Sequence, residues 1–119
     1  MSRHAWASDE LLSDAWPRFV AKVAANDNHG CWCWLGGRSK GGGHSDHAGF
    51  YGSFHVTTGV KVRAHIFSWL ASGEAFPPEL TLDHTCRNTL CVNPPRLELV
   101  TIAENNRRKC VALGMRWAA

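Results

Sequence analysis

The sequence predicts an α+β fold in a single small domain, and three observations carry that reading. The chain has 119 residues, within the usual span of one domain, about 100–200 residues. Several short stretches alternate in character with a period of two, as strands do, while others open on capping residues and stop at glycine, as helices do. Hydrophobic residues make up 45% and charged residues 19%, a globular balance that argues against wholesale disorder.

The elements follow in order. Residues 1–28 read as an N-terminal helical segment and 29–119 as the main domain with a C-terminal helix. In SDELLSDAWPRFVAKVAA, residues 8–25, Ser8 precedes Asp9 and Glu10, acidic residues that suit the positive end of a helix dipole. Pro17 is expected to break this stretch into two short helices or to start the second. Phe19, Val20 and Val23 would then form the second helix's buried stripe. CWCWLGG alternates, Cys31 and Cys33 on one face and Trp32 and Trp34 on the other. Residues 37–49, GRSKGGGHSDHAG, read as a flexible loop. FYGSFHVT and VKVRAHIF flank a TG turn as a hairpin, and the second strand runs into a short helix that stops at Gly73. LTLDH and LELVT read as two strands separated by the turn-rich TCRNTLCVNPPR. Thr101, with Glu104 three residues later, caps a helix from about residue 102 to 113.

Net charge is +3, too mild to identify a polyanionic partner alone. The distribution says more, since Arg107, Arg108, Lys109 and Arg116 cluster near the C-terminus, with Arg87 and Arg96 before them, as a phosphate-contacting patch would. No apolar run approaches the ~20 residues a membrane-spanning helix needs. The N-terminus lacks the apolar core of a secretory signal, so a cytoplasmic protein with no membrane partner is expected. Five cysteines cannot all pair within the chain. Two close pairs, Cys31/Cys33 and Cys86/Cys91, are spaced as tetrahedral zinc sites are. Cys110 reads as a helix residue with no special role.

One stretch asks for more than packing. DHTCRNTLCVNP, followed by LE and EN, resembles the HNH endonucleases of phage and mobile-element type, and is similar to the His-Cys box homing endonucleases within the ββα-metal nucleases. GCWCWLGG, YGSF and VRAHIFSW resemble the stretches preceding that motif in small phage HNH proteins, so the resemblance covers roughly residues 29–108. It implies a ββα-metal finger with an upstream hairpin, and a metal-dependent endonuclease that hydrolyses phosphodiester bonds in double-stranded DNA by nicking or double-strand cleavage. A catalytically inactive, zinc-stabilised nucleic-acid-binding module is the alternative.

By the resemblance, His84 is the general base for the attacking water, a role imidazole suits because it titrates near neutrality. Asn105 holds one catalytic magnesium, or manganese, through its amide oxygen. Asp83 is a second ligand in some HNH enzymes, whereas His-Cys box enzymes lack that carboxylate. Asn93 shapes the loop by bonding backbone groups. Arg107 and Arg108 would clamp phosphates, Arg63 reads first as a structural residue and second as a DNA contact, and the FYGSFHVTTGVKVR hairpin would enter a groove. One active site per 13 kDa chain needs a second copy or a second binding event to cut both strands, so a homodimer is possible.

Arg96 departs from the family's pattern. Relatives carry a histidine there, which in the His-Cys box group completes a zinc site with three cysteines. Arginine stays protonated and cannot ligate zinc. Cys33, extra relative to the family, is expected to replace it beside Cys31, Cys86 and Cys91, with His44, His47 and His65 as competing ligands. Arg96 would instead bind phosphate.

Overall fold

The computed structural model describes residues 6–26, 30–40, 50–86 and 88–112. Along these run α1 (Asp9–Val20), β1 (Val23–Asn26), β2 (Cys31–Trp34), β3 (Arg38–Lys40), β4 (Phe50–Thr57), β5 (Val60–Arg63), α2 (Ala64–Ala71), β6 (Leu80–His84), β7 (Leu97–Thr101) and α3 (Ile102–Ala112). A 3-10 turn covers Pro94–Arg96. The strands pair antiparallel as β1-β2, β3-β4-β5 and β6-β7. This is a small α+β domain.

α1 starts where Ser8 Oγ accepts the Leu11 N–H at 3.2 Å. It then runs unbroken through Pro17, contrary to the expected break. Proline removes the bond to the carbonyl four residues back, at a cost of about 3 kcal/mol in a helix interior. Phe19 offsets this by stacking on Trp34 at a centroid distance of 5.0 Å, meeting Phe54 edge-on at 5.3 Å and tilting against Phe67 at 4.8 Å. Burying a phenylalanine contributes roughly 1.5–3 kcal/mol, and such ring pairs add about 0.5–1.5 kcal/mol each. The buried stripe is Leu12, Ala15 and Phe19. Val20 is 45% exposed and Val23 begins β1, so neither belongs to that stripe.

β1 forms within the stretch expected to be helical, in register Val23↔Trp34 to Asn26↔Cys31. Likewise Arg38–Lys40, expected as loop, pairs with Phe50–Gly52 as β3. The β4-β5 hairpin matches expectation, with Gly59 in its turn at φ +81. Gly52 in β4 is held to glycine by contact, because a Cβ there would sit 2.5 Å from the Trp34 indole.

Two apolar clusters result. The larger gathers Leu12, Ala15, Phe19, Trp34, Phe54, Val56, Ala64, Phe67 and Val92, and the smaller gathers Phe76, Leu82 and Leu97. α2 joins them, giving Phe67 to the first and packing Ile66 and Trp69 against the second. Ser68 on the same helix is buried and donates its hydroxyl to the Val92 carbonyl at 2.6 Å. That bond fixes the segment after Cys91 to the core.

Candidate functional site

The β6-β7 hairpin leads directly into α3. Asp83 pairs with Glu98 and His84 with Leu97. Thr85 closes the open end, donating both N–H (2.9 Å) and hydroxyl (3.0 Å) to the Arg96 carbonyl. Thr101 Oγ1 accepts the Glu104 N–H at 3.0 Å and so caps α3 as its sequence predicts. Side chains alternate across a strand, so Leu82 and His84 lie on one face of β6 and Asp83 on the other. Arg108 of α3 donates to Asp83 Oδ2 at 3.1 Å, which puts α3 on the Asp83 face. Asn105, three residues earlier, shares that helix face. Its Oδ1 is buried with no hydrogen-bond partner among the described residues.

His84, on the other face, is buried in a ring cluster. Its centroid lies 4.4 Å from His65 and 5.9 Å from Tyr51, while Arg63 covers Tyr51 at 4.3 Å. Burial above all, then the His84 and Arg63 charges, hold the His65 pKa well below the ordinary 6.5, so it is neutral. His65 thus packs against His84 instead of serving the cysteines, and Arg63 is stacked on a ring.

The cysteines are drawn together by pairing outside the named strands. Trp34 N–H donates to Leu90 O at 2.9 Å and Val92 N–H to Trp32 O at 2.8 Å, so the 90–92 segment lies along β2. Asn88 shapes its approach, accepting the Leu90 N–H on Oδ1 and the Cys91 N–H on its carbonyl, both at 3.0 Å. The Sγ atoms of Cys31, Cys86 and Cys91 all lie within 4.8 Å of one another, and the three could hold a metal ion such as zinc. Sulfurs on a tetrahedral zinc stand about 3.8 Å apart, given Zn–S near 2.3 Å, so closure needs shifts of about 1 Å or less. Burial pushes the Cys91 thiol up to about 12, opposed by the backbone N–H groups of Asn93 and Trp32 and reinforced by Cys31 and Cys86. A cation there would reverse this, since it binds the thiolate.

Cys33 was expected as the fourth ligand but stands outside this group. Its backbone is directly opposite Cys91, yet its sulfur faces Asn88 Nδ2 at 3.8 Å. Asn93 donates Nδ2 to the Gly30 carbonyl, just before β2, and so ties the loop to that strand rather than to β6, which carries His84. Arg96 takes a structural position. Its guanidinium lies over Gly30, where a Cβ would come within 2.6 Å of Nη2.

The helix arginines are engaged within the chain. Arg107 pairs with Glu104, and Arg108 bridges Asp83, Glu98 (2.6 Å) and Glu104 (3.3 Å). The Arg107 hydrogen bond, with help from Arg108, pulls the Glu104 carboxyl down to about 2. Arg87, Arg116, His44 and His47 lie outside the described residues. Tyr51 and Asn88 were missed as site residues. Asn88 carried a signal in its place between two cysteines, whereas Tyr51 reaches His84 only through the fold.

The chain matches no protein-family model, no curated protein and no solved structure. The resemblance to HNH nucleases therefore rests on the motif residues themselves. No helix among the described residues is long and apolar enough to cross a membrane.

Proposed function

We propose that the chain is a metal-dependent endonuclease of HNH type acting on double-stranded DNA, with a zinc-stabilised loop. One observation supports this most: the buried Asn105 Oδ1, bonded to nothing described, on the helix face that reaches Asp83. Leaving a buried amide oxygen unsatisfied costs about 1–3 kcal/mol, and a cation ligand role accounts for it. Asp83 and Asn105 offer hard oxygen donors, which fit magnesium or manganese. An ion held by them would supply a Lewis acid beside the scissile phosphate.

The chain's own residues have separable tasks. His84 takes the proton of the attacking water as its oxygen bonds to phosphorus and the bond to the 3′ oxygen breaks. Because His84 is 5% exposed, the Tyr51–His65–His84 cluster must open when substrate arrives. Neutral His65 puts no second charge beside His84 when it takes that proton. Arg108 pairs with Asp83 and would have to give way for that carboxylate to hold an ion. Cys31, Cys86 and Cys91 would hold zinc, and a turn of the Cys33 side chain from Asn88 would bring a fourth sulfur.

The burial of His84, its place on the face of β6 opposite Asp83 and Asn105, and the Arg108–Asp83 pair favour a second reading, a zinc-stabilised nucleic-acid-binding module without cleavage. Supercoiled plasmid incubated with magnesium or with chelator separates the two. Nicking that needs the metal and disappears in His84→Ala, with DNA affinity kept, supports the endonuclease. No nicking with magnesium or manganese sinks it, and wild-type turnover in His84→Ala removes His84 from its role.

A further inference from the structure

The arginines expected to clamp phosphates are tied to carboxylates, but another set of cations is not. A cleft of about 330 Å³ lies between the end of α1, β3 and the β4-β5 hairpin, lined by Arg18, Lys22, Arg38, Ser53, His55 and Lys61 among others. Among the described residues, no carboxylate lines it. No ion pair joins any of its four cations to a carboxylate among the described residues. All four are exposed. Like charges gathered together raise one another's energy, and a polyanion relieves that.

The sheet register connects this cleft to His84. Tyr51, Ser53 and His55 alternate onto one face of β4. Lys61 lies opposite His55, and Arg63 opposite Ser53. The face therefore begins at Tyr51, whose ring meets His84, and continues past Arg63 and Lys61 into the cleft. At about 3.3 Å per residue, Tyr51 to His55 spans roughly 13 Å. A duplex rises 3.4 Å per base pair, so the track covers about four base pairs.

We propose that this cleft is the nucleic-acid backbone site, with Lys22, Arg38 and Lys61 contacting phosphates of double-stranded DNA, and that the α3 arginines serve internal pairing instead. The choice of DNA as the polyanion rests on the endonuclease reading; the cleft and its charge do not. Arg18 also lines the cleft, but its guanidinium donates to the His55 and Val56 carbonyls, so it is left intact in the test.

The test is fluorescence anisotropy with a labelled 20-base-pair duplex, calcium replacing magnesium, across a range of salt. The proteins are the full chain and its Lys22→Ala/Arg38→Ala/Lys61→Ala variant, with circular dichroism melting to check folding. Each lost phosphate contact lowers the slope of log affinity against log salt by about 0.9. The triple variant should lose about 2–3 in slope and bind at least tenfold more weakly at low salt, with unchanged melting. Equal affinity and slope in a folded variant would overturn the proposal, as would a wild-type chain that binds no duplex or only single-stranded nucleic acid. Loss of binding in the variant, with no cleavage by wild type under any metal, keeps the cleft and rejects the endonuclease.

Discussion

Gly30→Ala tests how the turn before the cysteines is built. Gly30 has φ +69, the left-handed region, where a side chain costs about 1–2 kcal/mol. A Cβ there would also stand 2.6 Å from Arg96 Nη2. That atom is the far end of a flexible side chain, so its shift adds about 0.5 kcal/mol, the low end of the cost of an off-rotamer side chain. The expected destabilisation is about 1.5–2.5 kcal/mol. At an unfolding entropy near 2.1 cal/mol/K per residue, each kcal/mol lowers Tm by about 4 °C here, so the variant should melt roughly 6–10 °C lower. Circular dichroism melting and urea unfolding measure it. Arg96→Ala combined with Gly30→Ala separates the two causes, because the backbone part must persist without the guanidinium. A Gly30→Ala melting point within a degree or so of the parent would refute the argument, as would complete rescue by Arg96→Ala.

Other outcomes can be stated from the same geometry. Cys86→Ser should lose bound zinc, whereas Cys33→Ser should keep it but release it to a competing chelator at least tenfold more readily; equal retention by parent and Cys33→Ser would show that Cys33 is no ligand. Because the folded His65 pKa lies below its unfolded value of 6.5, the unfolded chain binds more protons between the two. Stability is full above about pH 6.5 and falls below it, by at most about 1.4 kcal/mol per pH unit from this one group. His65→Gln should flatten that window, and an unchanged pH profile of Tm would count against a buried neutral imidazole. Ser68→Ala leaves the Val92 carbonyl without its buried donor and should cost about 1–3 kcal/mol in urea unfolding; a cost near zero would mean the bond contributes nothing.

What the sequence revealed was local, and what it concealed was not. VKVR and the FHVT end of β4 alternate around a TG turn, and Thr101 caps α3 within its own first turn, so both were legible. Pro17 misled because a local rule met a distant cause, the packing of Phe19 against the Trp34, Phe54 and Phe67 rings. VAAN and RSK carry little strand character of their own, and become β1 and β3 only by pairing with CWCW and FYG. The three clustered cysteines were legible from residue type and spacing. The position of the Cys33 sulfur depends on a side-chain rotation and on Asn88, which spacing cannot reveal. Arg108 looked available because Glu98 and Asp83 reach it from another part of the chain, whereas the Arg107 pair with Glu104, one helical turn away, was open to reading from spacing.

Arg18 has one more consequence, for how copies of this chain avoid each other. Beyond its short pairing with β3, the outer edge of β4 is left without a neighbouring strand among the described residues, and its register slips between His55 and Thr57. Open edges of this kind recruit strands from other molecules. The guanidinium of Arg18 occupies the His55 and Val56 carbonyls there, and places a charge where an incoming strand would need to dock. The irregular step in β4 bends the edge away from the flat geometry that stacking requires. The same cation that helps line the basic cleft thus stands at the edge an incoming strand would use, and Arg18→Ala should precipitate at concentrations the parent tolerates, with equal solubility by light scattering counting against this role.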